Sequence, residues 1–360
     1  MARKRSRNHI VFSEKDFLNS TPVKIILSIV AMGSFAIAFG QEKIASYIPT
    51  WTDNSGCLKQ FYRDEPPFLN KPSLQKNAYP LCFNGFNVMY SGVSKTPLWT
   101  AEHLSPQRLS QKIKREDSFH EEERVSSAHR ALLSDYKGSG YDRGHMSPNA
   151  DMPDKASQFD SFSLANMVPQ SPKNNQQIWR EAEEATRAIV TKHKTDVYVV
   201  TGPVFAAKKL KTIGNGVIVP TAVFKAIYIP QDGIIGAYYA PNNDSLQIKV
   251  ISVCQLEEQL GINLFPQLTE EQKRNTYNLP LTANQVKANK KIEYAHWDAE
   301  SQCAENVSPD QLKALQKQFK PISSGHATSV ELPKVDQQTQ DALSKQLVES
   351  LLQYLLQLVK

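Results

Sequence analysis

Hydrophobic positions recur in two ways along the chain, and each pattern predicts a different kind of element. Apolar residues return at helical spacing after Asn175, where Trp179 and Ile189 share one face. A second, short helix is predicted to end at Gly261. Runs rich in Val, Ile, Phe and Tyr, separated by turn residues, predict strands at 86–90, 196–205, 217–229, 234–240 and 246–253. The sequence therefore predicts an α+β fold with a central antiparallel β-sheet flanked by helices.

The N-terminus joins a basic stretch to an apolar one. Basic residues within 3–7 precede an apolar run at 23–39, which just reaches the length of a membrane-spanning helix. The positive-inside rule then places residues 1–22 in the cytoplasm and predicts 23–40 as an anchor in a bacterial inner membrane, with the following domain in the periplasm or outside the cell. An A-x-A pattern at 36–38 leaves an alternative open, in which 23–40 is a cleaved signal segment and the protein is secreted.

Composition separates a globular domain from a polar tail. The chain is 40% hydrophobic, enough to form a core, and residues 41–305 are predicted as the main domain. The formal net charge of +6 permits a polyanionic partner without specifying one. Residues 306–360 are predicted as a polar linker followed by an amphipathic helix at 343–359, which would bind a membrane, an unidentified protein partner or the domain itself.

All the cysteines lie downstream of the apolar N-terminal run. An even number of cysteines in an exported domain predicts disulfides. Of the three connectivities we favour Cys57 with Cys82 and Cys254 with Cys303, although the sequence alone does not decide between them. If the domain is not exported, four free thiols become the better interpretation.

The sequence DRGH at 142–145 clusters residue types that a nuclease needs. Cleavage of a phosphodiester requires a base, a divalent ion and cations that hold the phosphate. His145 is a candidate general base, because an imidazole accepts a proton near neutral pH. Arg143 would offer a fork of donors to the phosphate, and Gly144 permits close approach of the backbone. A surface turn with a structural histidine is the alternative for this segment alone.

A second group of residues follows on the predicted helix. Asn175, Trp179 and Glu183 are spaced at i, i+4 and i+8, so an α-helix would place all three on one face. An amide oxygen is a weak ligand, so Mg²⁺ bound by Asn175 would keep most of its waters, and Glu183 would hold one of them. The alternative is an asparagine cap, a buried tryptophan and a solvated glutamate.

Together these segments resemble the DNA/RNA non-specific endonuclease family. The resemblance covers roughly residues 85–270 and rests on DRGH, NMVPQ at 166–170, Asn175 with Gln176, Trp179 and Glu183, and VYVVTGPVF at 197–205. It implies a ββα-metal active site, also called a His-Me finger, with Mg²⁺ or Mn²⁺ as cofactor. It also implies cleavage of both DNA and RNA to products with 5′-phosphates, because the backbone rather than the bases is read.

The resemblance also implies roles for individual residues. His145 becomes the general base, Asn175 the sole direct protein ligand of the metal and Glu183 a carboxylate that holds metal-bound water. Arg143 and Asn166 would support the phosphate and the geometry of the site. An upstream family arginine maps to Arg115 before Phe119, with Arg124 and Arg130 as alternatives, and Asn174 leaves a one-residue ambiguity in the metal ligand.

Two other functions remain open at this stage. The chain is either a catalytically inactive nucleic-acid-binding module on the same fold or a membrane-anchored nuclease of a DNA-uptake apparatus. All the residue types that the site requires are present, and this argues against the inactive module. The sequence leaves the oligomeric state open, with a homodimer among the alternatives.

Overall fold

A computed structural model describes residues 55–321 of the chain. The strands are β1 (Phe68–Leu69), β2 (Ala78–Phe83), β3 (Phe86–Ser91), β4 (Thr96–Leu104), β5 (Asp142–His145), β6 (Met167–Gln170), β7 (Val197–Val204), β8 (Thr212–Ile213), β9 (Val217–Ile218), β10 (Ala222–Ile229), β11 (Ile234–Pro241), β12 (Lys249–Ile251), β13 (Ile262–Asn263), β14 (Asn275–Tyr277) and β15 (Tyr294–Trp297).

Helices lie on both sides of these strands. The α-helices are α1 (Ser55–Leu58), α2 (Pro72–Gln75), α3 (Leu133–Tyr136), α4 (Lys155–Ser161), α5 (Arg180–His193), α6 (Val253–Leu260), α7 (Glu270–Arg274) and α8 (Pro309–Gln316). Short 3₁₀ turns occur at Tyr62–Asp64, Arg108–Ser110, Asn149–Asp151 and Leu164–Asn166, and Asn174–Trp179 is π-helical.

The central sheet has seven strands in the order β12-β11-β10-β7-β4-β3-β2. Every neighbouring pair in it is antiparallel. The predicted α+β class with a central antiparallel sheet is confirmed. A two-stranded pair, β5 with β6, lies beside it.

Both faces of the sheet are covered, which explains why its strands appear in the sequence as continuous apolar runs. On one face, Phe224 and Trp99 pack with residues of α1, α6 and the C-terminal end of the described chain. On the other face, Ile227 and Val199 pack against α5 and the segment that contains Leu279. Helix α5 is therefore held directly over the middle of the sheet.

Two strand predictions differ from the structure in extent. The region before residue 100 was expected to hold loops with short strands, yet β4 is a nine-residue strand in the interior of the sheet. Conversely, 246–253 was expected to be one strand, but β12 begins at Lys249. Leu246, directly after the turn at 244–245, has a φ of 54°, and this left-handed conformation is incompatible with an extended strand at that position.

The packed domain continues beyond the boundary expected at residue 305. Leu312, Leu315 and Phe319 are buried, and the Phe319 ring lies 5.3 Å from that of Phe61. These three apolar side chains are spaced along one face of an otherwise polar segment. For that reason the sequence suggested a linker here, whereas α8 is part of the core.

Both favoured disulfides form. Cys57 is bonded to Cys82, and Cys254 to Cys303. The predicted anchor at 23–40 and the predicted helix at 343–359 lie outside the described residues. Between residues 55 and 321, no helix has the length and apolar character needed to cross a membrane.

Candidate active site

Strands β5 and β6 and the helix after them form a ββα unit beside the central sheet. The two strands are antiparallel, with His145 opposite Met167 and Asp142 opposite Gln170. The chain then enters the π-helical turn and continues into α5. This unit brings DRGH and the start of the long helix next to each other, as the resemblance implies.

Gly144 is required by close packing inside this unit. A Cβ atom at position 144 would collide with the side chain of Gln170, which lies across β5. The Gln170 Nε2 atom donates a hydrogen bond of 2.5 Å to Asn174 Oδ1. The absence of a side chain at Gly144 therefore lets the Gln170 side chain pass over β5 and bond to Asn174 at the start of the helix.

The two neighbouring asparagines have different roles in the structure. Asn174 is buried, and its amide is used by Gln170 Nε2 and by the Pro241 carbonyl, to which Nδ2 donates at 2.9 Å. Asn175 is half-buried, and its Nδ2 donates to Asp142 Oδ2 at 2.9 Å. Among residues 55–321 no hydrogen bond is made to Asn175 Oδ1, which leaves that oxygen as the candidate metal ligand of the pair.

The helix that carries Asn175 does not start as the regular α-helix that its spacing suggested. Residues Asn174–Trp179 form a π-helical turn before α5 begins. Trp179 is buried against Met146, Val168 and the sheet, so it anchors the turn. Single π-helical turns are frequent at functional sites, because the wider turn redirects side chains at the helix entrance.

His145 lies in an aromatic pocket. Its ring is 5.0 Å from the ring of Phe162 and 5.8 Å from that of Phe119. Its Nε2 atom is buried and has no hydrogen-bond partner within the described chain. Burial lowers the pKa of His145 to about 3, and the cationic side chains of Arg115 and Arg143 add to this effect. The imidazole is therefore neutral at physiological pH.

Arg115 and Arg143 are brought together although 28 positions separate them (143 minus 115). The guanidinium of Arg143 stacks on Phe119 at 3.8 Å, and that of Arg115 lies 5.3 Å from the Phe162 ring. Both arginines line a cavity of about 600 Å³ that Asn175 also lines. The Arg143 guanidinium has no hydrogen bond or ion pair to another described residue, so its donors are free to bind a ligand in the cavity. The Nε atom of Arg115 donates a hydrogen bond to the Asp117 carboxylate.

The alternative upstream arginines are placed elsewhere. Arg124 forms two hydrogen bonds with the Glu122 carboxylate, donates to the Cys82 carbonyl and stacks on Phe83. These contacts occupy its guanidinium. Arg130 does not line the cavity. The structure thus favours Arg115 as the arginine that accompanies Arg143.

Asn166 is buried below the site rather than inside the cavity. Its Oδ1 accepts from the Ser147 amide at 2.8 Å, and its Nδ2 donates to the carbonyls of Ser147 and Ser161. Because these bonds use its side-chain amide, Asn166 fixes the chain that follows His145. We assign it to the geometry of the site and not to phosphate contact.

Glu183 lies on α5, beyond the π-helical turn. Its carboxylate has no hydrogen bond or ion pair to another described residue. Burial raises the pKa of Glu183 to about 7, against the opposing effect of the cations Lys225 and Arg187. Lys225 is itself buried under the helix and donates to Thr201 Oγ1 at 2.9 Å.

Sequence reasoning gave no role to several residues that shape this cavity. Asp142 accepts hydrogen bonds from both Asn175 and Gln176 at 2.9 and 2.8 Å. Lys137 and Tyr141 line the same cavity. Asp142 belongs to the DRGH segment, but only the register of β5 on β6 reveals that it faces the helix.

Comparisons with known proteins identify the family of the chain. Residues 65–271, more than half of the chain, match the sequence model of the family described as DNA/RNA non-specific endonuclease. The chain belongs to this family. The match begins before residue 85, where the motifs alone had placed it, and it ends at residue 271.

Relatives of this chain include proteins from animals, from fungi and from Nostoc sp.. The chain is 35% identical to "Endonuclease G, mitochondrial" of Homo sapiens over 46% of its own length and 59% of that protein. It is 34% identical to "Nuclease EXOG, mitochondrial" of Danio rerio over 51% of its length and 60% of that protein. The match thus spans about three-fifths of these two relatives.

A fungal relative is covered more completely. The chain is 32% identical to "Nuclease C1" of Cunninghamella echinulata var. echinulata over 60% of its own length and 90% of that protein. Among solved structures, one of the EndoG/EndoGI complex matches 54% of this chain and 89% of that chain, with a TM-score of 0.49 and 24% identity.

Proposed function

We propose that this protein is a Mg²⁺-dependent endonuclease that hydrolyses DNA and RNA without sugar specificity and leaves 5′-phosphates. One observation carries the proposal. Two arginines and an asparagine with a free amide oxygen line one cavity, and a neutral histidine on β5 lies behind it, with its ring 5.8 Å from that of the lining residue Phe119. Family membership supports a nuclease, and it disfavours the inactive binding module.

His145 is proposed to accept a proton from the water that attacks phosphorus. With a pKa of about 3 the imidazole is neutral but a weak base. The charges of Arg115 and Arg143 contribute to that low pKa, and a bound phosphate would neutralise them. Substrate binding is therefore expected to strengthen the base at the moment when it is needed.

The two arginines are proposed to hold the non-bridging phosphate oxygens. The unused donors of Arg143 are well suited to this, since a guanidinium binds phosphate through paired hydrogen bonds. Stacking on Phe119 fixes the plane of that guanidinium. Asp142, which also lines the cavity, holds the Asn175 amide through a hydrogen bond.

The chemistry of the donor set fits Mg²⁺. Asn175 offers a single neutral oxygen, and oxygen is the ligand atom that Mg²⁺ prefers. In the described part of the chain, no group of three or more His, Cys, Asp or Glu side chains forms a metal site, so most ligands would be water. When bound, Mg²⁺ would offset charge on the phosphate and on the departing 3′ oxygen. Glu183 would accept a hydrogen bond from one of the metal-bound waters.

Cleavage assays test the proposal. The full chain is incubated with plasmid DNA or with RNA, in Mg²⁺ or EDTA, beside His145→Ala and Asn175→Ala. We expect both nucleic acids to be cut only with metal, and turnover of His145→Ala to fall by about 10²–10⁴-fold. His129→Ala, which removes a half-buried histidine bonded to Tyr79, is the matched control. Full activity of His145→Ala, or cleavage in EDTA, would refute the proposal.

The location of the enzyme is a separate proposal. Two disulfides suit an oxidising compartment, which supports an exported domain. Whether 23–40 is an anchor or a cleaved signal is tested by separating membrane from soluble fractions and sequencing the N-terminus. A role in DNA uptake stays a prediction.

A further inference from the structure

A second, strongly basic cavity lies at the far end of α5. It has a volume of about 530 Å³, and we name it the lysine cavity after Lys249, Lys287, Lys290 and Lys291, which line it. All four lysines are exposed. The acidic lining residue is Glu293, which pairs with Lys290 at 3.2 Å. The cavity therefore carries a clear excess of positive charge.

Two exposed aromatic side chains lie on β15, the strand whose Ala295 and His296 line this cavity. Tyr294 and Trp297 on β15 are 53% and 49% exposed, although large apolar side chains are normally covered. Tyr294 contacts Tyr277, a lining residue of the lysine cavity, with the two rings 5.7 Å apart. A groove of cations beside exposed aromatic rings is the combination by which proteins bind single strands, because unpaired bases stack on the rings.

The lysine cavity is attached rigidly to the helix of the active site. Lys192 Nζ donates to the carbonyls of Ala283 and Val286 at 2.7 and 3.0 Å, and His193 Nε2 lies 3.1 Å from the Lys287 carbonyl. Both residues end α5, whereas Asn175 precedes its start. Because α5 has 14 residues, its two ends are about 20 Å apart.

We propose that the lysine cavity and the aromatic residues of β15 form an accessory site for single-stranded DNA or RNA, separate from the cleavage site. The lysines would bind phosphates, and Tyr294 and Trp297 would stack on bases. A strand that rises about 3.4 Å per nucleotide covers the length of α5 in about six nucleotides, so one long substrate can occupy both sites. Three of the four lysines and both aromatic residues follow residue 271, where the family match ends.

A membrane surface is the competing ligand for lysines beside Trp and Tyr. The concave shape of the lysine cavity favours a strand, since a bilayer surface cannot enter a cavity. We therefore commit to nucleic acid, and anionic vesicles serve as a probe for the other outcome.

Binding is measured with the full chain carrying His145→Ala, which prevents cutting, and a labelled single strand of about 20 nucleotides. Lys290→Ala with Lys291→Ala should weaken binding about five-fold or more. It should also reduce the slope of log K against log salt by about 1.4, or about 0.7 per lost phosphate contact. Tyr294→Ala with Trp297→Ala should weaken binding to a similar degree without changing that slope. Lys59→Ala with Lys76→Ala removes the same charge from exposed positions outside the lysine cavity and should change binding little.

The inference uses the proposed function only in taking nucleic acid as the ligand, and the two can fail separately. In the catalytically intact chain, the Lys290 and Lys291 double variant should raise KM for strands of about 20 nucleotides and leave cleavage of about four-nucleotide strands unchanged. If the intact chain cuts nothing, the proposed function fails, yet the binding comparison still decides the inference. The inference is overturned if the lysine variant and its control bind the labelled strand equally well. It is also overturned if the lysine variant loses binding only to phosphatidylserine vesicles and not to the strand. Normal single-strand binding by the aromatic variant overturns the single-strand assignment.

Discussion

Asn175 Nδ2 donates a hydrogen bond to Asp142 Oδ2 at 2.9 Å, and this bond connects the helix entrance to the strand that carries His145. The same carboxylate oxygen accepts from Gln176. With its nitrogen held in this way, the Asn175 amide cannot flip without losing a charge-assisted hydrogen bond. In the proposed site, Asp142 therefore determines which atom of Asn175 would face a metal ion.

Asp142→Asn should weaken metal binding more than it weakens folding. The neutral amide is a poorer acceptor, and hydrogen bonds to charged groups contribute about 1.5–3 kcal/mol. We expect the Mg²⁺ concentration for half-maximal activity to rise by about 10–100-fold. A Mg²⁺ titration of activity measures this, with Asp232→Asn in an exposed turn as control. An unchanged titration would show that Asp142 does not position the ligand.

Asn174→Ala and Asn175→Ala should affect different properties. Asn174 is buried with partners on both amide atoms, so its removal leaves buried groups unpaired and should lower the free energy of unfolding by about 1–3 kcal/mol. Asn175→Ala should abolish the metal response and leave urea stability nearly unchanged. The two variants control for each other. The reverse result, with Asn174→Ala losing its response to metal while stably folded, would move the ligand by one residue.

The low pKa of His145 predicts an acid-dependent loss of stability. The folded-state pKa is about 3, below the ordinary value of 6.5, so the unfolded chain binds a proton between these values and the folded protein does not. This contribution to stability is fully present above pH 6.5 and is lost as the pH falls below it. Between pH 7 and pH 5 the loss is about 1–2 kcal/mol.

Urea unfolding of His145→Asn at pH 7 and pH 5 checks this. The variant should lose less stability on acidification than the parent, and His129→Asn serves as the matched substitution. The comparison with the parent is needed because Glu183, whose pKa is raised to about 7, has the opposite effect on the pH dependence. Identical pH dependence in the parent and in His145→Asn would contradict the assigned pKa.

Loss of either disulfide should destabilise the domain. The Cys57–Cys82 bond closes a separation of 25 residues and the Cys254–Cys303 bond one of 49. From chain entropy, Cys57→Ala with Cys82→Ala should cost about 3 kcal/mol and Cys254→Ala with Cys303→Ala about 4 kcal/mol. Urea unfolding measures both costs. If neither pair of substitutions changes the transition, the bonds do not form in the folded protein.

Strands that are buried on both faces were predictable because they consist of consecutive apolar residues. Strand β10 is an example, with Lys225 as its one charged residue. Strand β4 was missed because it contains the buried polar residues Thr100 and Glu102. Glu102 is held inside by an ion pair with Arg108 at 3.1 Å, a partner that cannot be inferred before the fold is known.

The chemistry of the site was predictable only where residues are close in the chain. DRGH presents Arg143 and His145 within four positions, so the motif alone identifies them. Contact between Asp142 and Asn175 spans 33 residues and depends on the register of β5 on β6. Similarly, Arg115 reaches the cavity because Phe119 and Phe162 pack together, with ring centroids 4.9 Å apart.

The Cys254–Cys303 bond encloses β14, β15 and three of the four lysines of the lysine cavity in one covalent ring of chain. The disulfide joins this ring to α6, whose residue Leu256 is buried in the core. The two ends of the ring are therefore held in place by the core. Substitutions at its exposed positions, such as Lys290 and Lys291, would leave the positions of His145 and Asn175 unaltered. Among descendants of a common ancestor, such a ring is a place where preference for one nucleic acid over another can diverge while the cleavage chemistry is inherited intact.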